Sequence, residues 1–65
     1  MFINIEIERL RSHMTKKDMA KQLAISPHTL NNWICKREPI PAVGLLALSQ
    51  LFGGLSIDYL LSEGD

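Results

Sequence analysis

Apolar side chains recur along this chain at helical intervals. Ile3, Ile7, Leu10 and Met14 follow one another at steps of four, three and four, the stripe of an amphipathic helix over residues 3–13. Thr15 then has the chemistry of an N-cap, and Asp18, three positions on, completes a variant capping box beside the positive helix end. A second helix is expected from Lys16 to about Leu23, burying Met19, Ala20 and Leu23. Ala24-Ile25 breaks the pattern. Ser26-Pro27 restarts it, since Ser caps well and Pro suits the first helical position, so a third helix runs from Pro27 to about Cys35 with Leu30, Trp33 and Ile34 inward.

Lys36 through Ile40 reads as a loop, because Pro39 and Pro41 each bias the residue before them away from helical geometry. Pro41 opens a fourth helix to about Phe52, which Gly53-Gly54 ends, and Ser56 caps a fifth from Ile57 to Leu61. No strand signal and no repeat is present. The expected class is all-α, five short helices around one core over residues 1–61, with a polar tail at 62–65.

Sixty-five residues allow one domain of modest stability, and the 46% of apolar residues form no run long enough to cross a bilayer. Met1-Phe2-Ile3-Asn4 carries no export signal, so a cytoplasmic location is expected. Cys35 is the single cysteine, and His13 and His28 complete no ligand spacing with it, so neither a metal nor another cofactor is expected. No nucleophile and base constellation suggests an enzyme. The formal net charge of zero argues against a nucleic-acid partner. The distribution of charge argues the other way. All seven basic residues, Arg9, Arg11, Lys16, Lys17, Lys21, Lys36 and Arg37, lie in one span where Asp18 is the only acid, which predicts a basic face and an acidic remainder.

Within that span, two short helices meet at a tight turn, and Met19, Ala20, Leu23, Ile25, Leu30 and Trp33 hold the later one at a steep angle to the earlier. A small residue at Ala20 lets the helices approach closely, leaving the third helix as a ridge of a size that fits a major groove. The residues Thr15 to Ala20, Ile25-Ser26, Leu30-Asn31-Asn32-Trp33, the Ile40-Pro41 junction and the run Ser56 to Leu61 resemble the lambda-repressor-like helix-turn-helix family, most of all the phage CI repressor amino-terminal domains. The resemblance extends from Ile7 to Gly64, with the helix-turn-helix at about 15–35.

The resemblance implies a sequence-specific regulator bound to a double-stranded DNA operator, a phage- or prophage-type repressor associated with the nucleoid. By position, Thr15 and Lys16 would grip a phosphate, with Lys17, Lys36 and Arg37 also toward the backbone. Pro27, His28, Thr29, Asn31 and Asn32 would face the bases. Asn32 would be the sharpest reader, since Asn can bond adenine through two atoms. Alone, Lys16, Lys17 and Lys21 would be no more than a solvated helix face.

Two positions depart from the family pattern. Ala24 stands where the turn often has Gly, and a left-handed Ala costs about 1 kcal/mol. Ile34 stands where Glu is common, which leaves Arg9 to solvent, phosphate or Glu6. The fourth helix is more apolar than one small core needs, so a two-fold homodimer through Leu48, Phe52, Leu55, Ile57 and Tyr59 is expected, with recognition helices about 34 Å apart. The alternative is a protein-interaction module that keeps the scaffold and does not bind DNA.

Overall fold

Hydroxyl side chains open the two central helices. In a computed structural model describing residues 1–62, Thr15 Oγ1 accepts from the Asp18 amide at 3.0 Å while Asp18 Oδ2 accepts from the Thr15 amide at 3.4 Å, the capping box in both directions. Ser26 Oγ accepts from the Thr29 amide at 3.1 Å, with Pro27 in the first turn. These caps begin α2 (Lys16–Gln22) and α3 (Pro27–Ile34), between α1 (Ile3–Arg11) and the later α4 (Ala42–Leu51) and α5 (Ile57–Leu61). Every element is helical and stands within two residues of its expected bounds. Residues 63–65 of the expected tail lie outside the described residues.

The helix ends share one device. After each of α1 to α4 the chain enters a left-handed residue, His13, Ala24, Lys36 and Gly53, at φ 56°, 59°, 64° and 80°. The next amide then reaches back five residues: Met14 to Arg9, Ile25 to Ala20, Arg37 to Asn32 and Gly54 to Ser49 carbonyls, at 2.8–3.2 Å. This is the Schellman closure, which satisfies carbonyls the helix itself leaves unpaired. Only one of these turns uses glycine at the left-handed position. The strain anticipated at Ala24 is therefore present, and His13 and Lys36 carry it too.

The core consists of Ile5, Met19, Ala20, Leu30, Ile34, Leu48 and Leu60, drawn from all five helices, with Trp33 also buried. Ala20 is fully buried in the seam between α2 and α3. Trp33 lies across the backbone of α4: a Cβ on Gly44 would stand 2.8 Å from its Cη2. That close approach is why α4 tolerates a glycine in its middle. Asn4 Nδ2 donates to the Tyr59 carbonyl at 2.7 Å, tying α1 to α5. The Phe2 amide donates to the Ile34 carbonyl at 2.9 Å, pinning the chain's start to the end of α3.

Two expectations are corrected. The stripe read on α1 is its outer face: Ile3, Ile7 and Leu10 are exposed and Met14 is half-buried, while Ile5 and Glu6 are buried. Burying Glu6 succeeds because Arg9 and Lys16 neutralise it. Leu48, expected in a dimer contact, is fully buried in the core of the single chain and is not accessible to a partner. The apolar excess of α4 instead surfaces at Val43, 79% exposed, and Leu46.

Candidate nucleic-acid interface

The ridge formed by α3 is held by a buried ionic knot on its inner side. Glu6 of α1 binds Arg9 through Oε2, at 2.6 Å from Nη2 and 3.2 Å from Nε, and Arg9 Nη1 donates to the Met14 carbonyl at 2.8 Å. Of the three destinations open to Arg9, it takes Glu6. The other carboxylate oxygen of Glu6 has no hydrogen bond but lies 3.8 Å from Lys16 Nζ, which donates to Asn31 Oδ1 at 2.9 Å. The chain Arg9–Glu6–Lys16–Asn31 thus links α1, α2 and α3, and it fixes α3 by charge as well as by apolar contact.

Along α3, Pro27 and His28 are exposed, and Thr29 and Asn31 are half-buried. The Thr29 hydroxyl accepts from Ser26 Oγ at 3.0 Å. Asn31 spends its carbonyl oxygen on Lys16, and its amide nitrogen makes no hydrogen bond among the described residues. Asn32 differs from expectation. It is only 8% exposed, its Nδ2 donates to Glu38 Oε1 at 2.7 Å, and the same nitrogen lies 3.4 Å from His28 Nε2. An amide so committed does not offer a free two-atom edge to adenine, because that contact needs the same donor. Glu38, a residue not singled out in the sequence, is what holds it. Its acidic side chain at the edge of a basic span was the available signal.

The expected phosphate residues fall into two groups. Thr15 uses its hydroxyl as the cap of α2, and Lys16 is half-buried in the ionic knot. Lys17, Lys36 and Arg37 are exposed, as is Lys21, one helical turn beyond Lys17 on α2. Lys36 Nζ stands over the Phe2 ring, 5.4 Å from its centroid. Arg11 reaches Glu8 at 3.3 Å, largely in solvent.

Of the remaining expected contact residues, Phe52 and Leu55 lean on the core and Ile57 is half-buried. Tyr59 is exposed and its hydroxyl donates to Glu8 Oε2 at 2.8 Å, a bond that raises its pKa above 10.0, with smaller contributions from partial burial and the negative charge of Glu8. Among the described residues, no three of His, Cys, Asp and Glu converge on a point where a metal could sit. Nor is any helix there long and apolar enough to cross a membrane.

Over 52 residues, 80% of the chain, the sequence is 38% identical to the Repressor protein CI of Enterobacteria phage phi80. The chain spans about a fifth of that protein's length, 21%. No family model matches the chain. No solved structure matches it either.

Proposed function

The chain is a helix-turn-helix domain of the CI-repressor type, and from that premise we propose that it is a sequence-specific DNA-binding regulator, a repressor that lays α3 in the major groove of an operator. One observation carries the proposal: α3 is a short, doubly anchored ridge, pinned by the Glu6 knot and by Trp33, which exposes Pro27 and His28 and keeps Thr29 and Asn31 half-buried at its edges. In this reading His28 and Asn31 supply polar contacts to base edges, Pro27 an apolar contact to a thymine methyl, and Thr29 a hydroxyl. Asn32 acts behind them. Thr15, Lys16, Lys17, Lys36 and Arg37 meet the phosphates and supply most of the affinity without reading sequence. On a near-palindromic operator two copies bind side by side, with Phe52, Leu55, Ile57 and Tyr59 at the end of the molecule nearest the partner. The protein works in the cytoplasm, on the nucleoid, and catalyses nothing.

The exposed apolar residues Ile3, Ile7, Leu10, Val43 and Leu46 favour a second reading, a module that binds protein on the same scaffold. Selection from a random duplex library, followed by affinity measured on selected and scrambled duplexes at two salt concentrations, separates the two. A regulator yields a selected motif and an affinity that falls steeply with salt. A protein-binding module yields neither.

A further inference from the structure

Glu38 lies outside α3 and reads no base in the proposal above, yet among the described residues it makes a short polar contact to the recognition helix. Its carboxylate accepts from Asn32 Nδ2 at 2.7 Å. An ionised carboxylate is acceptor-only, so it selects the nitrogen of the amide, and a charge-assisted bond of this length settles which way the Asn32 side chain is turned. The same nitrogen lies 3.4 Å from His28 Nε2, one helical turn back, within reach of its second hydrogen. An N–H group can donate only to a bare ring nitrogen. Neutral imidazole carries its proton on one nitrogen or the other, so a donor at Nε2 leaves the proton on Nδ1.

Resting on the DNA-binding reading, we propose that Glu38 is a specificity-determining residue: through Asn32 it holds His28 as the Nδ1–H tautomer, so that His28 meets the major groove as a donor. The base edges that match a donor there are acceptors, guanine N7 and O6 first among them. Adenine, recognised by an amide through paired donor and acceptor, is disfavoured at the position Asn32 would otherwise read, because its donor is occupied. Glu38 acts as a positioning residue, since it touches a protein amide and not the DNA. Its own negative charge lowers affinity for every duplex alike, so its presence at the edge of the basic span is a cost that a role in base choice accounts for.

The tautomer is read in the free protein from the two ring nitrogens of His28 in long-range proton–nitrogen correlation spectra, at a pH where the imidazole is neutral. The wild type should show a proton on Nδ1 and a bare Nε2. Glu38→Ala should move His28 toward the Nε2–H form that free imidazole side chains favour, and Glu38→Gln, which keeps an acceptor oxygen, should restore the wild-type pattern. Glu38 is an exposed loop residue, so both variants are expected to fold, and circular dichroism checks this. Duplex selection with the same proteins should show a guanine preference for wild type and Glu38→Gln. For Glu38→Ala one position should shift toward adenine by about tenfold, with tighter non-specific binding. An Nε2–H wild-type tautomer, or identical base preferences for wild type and Glu38→Ala, overturns the proposal. Absence of any wild-type binding to DNA overturns the functional reading and the specificity role together, whereas an altered tautomer with unaltered preference overturns the specificity role alone.

Discussion

Ala24 is a residue whose difficulty was written in the sequence, and its φ of 59° bears that out. The conformation is imposed by the Schellman closure of α2, in which the Ile25 amide must reach the Ala20 carbonyl at 3.0 Å to turn the chain into α3. Replacing Ala24 by Gly removes the Cβ from a crowded region, offset in part by the greater freedom of the unfolded chain, so a net stabilisation of about 0.5–1 kcal/mol is expected. Thermal or urea denaturation of Ala24→Gly measures it, and a loss of stability would mean that the turn does not close this way in solution. Tyr59 offers a test of a different contact. Its hydrogen bond to Glu8 favours the neutral phenol, so the raised pKa marks an interaction present at neutral pH and lost as pH climbs through the shifted value. Because Tyr59 is the single tyrosine, phenolate absorbance follows it cleanly, and Glu8→Gln should move the titration midpoint downward toward 10.0. Asn32 is the residue of α3 whose surroundings differ most from the sequence expectation. Its position on α3 was evident, but a side chain's orientation depends on a partner beyond the helix end, and Glu38 reaches it only after the Lys36 turn has folded the loop back.

At the scale of elements, caps and breakers located α2 to α5, because Thr15, Ser26, Ser56, Pro41 and Gly53-Gly54 act through local geometry that needs no tertiary partner, whereas α1, which has no side-chain cap, was located by its periodicity. What periodicity could not decide was which face of α1 turns inward. The spacing of Ile3, Ile7 and Leu10 is as good a stripe as that of Phe2, Ile5, Glu6 and Arg9, and on hydrophobicity alone the former should win. It loses because Glu6 and Arg9 neutralise each other, and the knot they form with Lys16, Asn31 and the Met14 carbonyl joins three helices at once. The energetic consequence is an inversion of the ordinary hydrophobic rule. Glu6→Ala strands a partly buried Arg9 and releases Lys16, so it should destabilise the fold by about 3 kcal/mol. Leu10→Ala removes a larger apolar side chain from a position 62% exposed, and its effect should stay within about 0.5 kcal/mol. Chemical denaturation of the pair decides the matter: a greater loss for Leu10→Ala would return the outer stripe to the core, or to an interface.

The whole molecule carries no net charge, yet its proposed task is to hold a polyanion, so the arrangement of charge has to substitute for its sum. Four of the cations are already engaged within the fold: Arg9 by Glu6, Lys16 by Glu6 and Asn31, Arg11 by Glu8, and Lys36 over the Phe2 ring. The clustering of basic residues between positions 9 and 37 was legible in the sequence; their division into structural and outward-facing ones was not, because it depends on where the acids of α1 come to lie. Lys17, Lys21 and Arg37 remain exposed and carry the reading toward DNA. With few outward cations per copy, binding to random DNA should be weak at physiological salt, and the salt slope of the specific complex should count only the phosphate contacts those cations make. Each phosphate contact contributes close to one unit to the slope of log affinity against log salt, so Lys17→Ala and Arg37→Ala should each flatten that slope by about one without altering the selected motif. Lys16→Ala should behave differently, flattening the slope and also lowering the melting temperature, because it loosens α3 from the Glu6 knot. Titrations of these variants at several salt concentrations, read beside their melting curves, test the division directly: unchanged slopes for Lys17→Ala and Arg37→Ala would remove α2 and the end of α3 from the phosphate backbone, and with them the groove-docked orientation of the recognition helix.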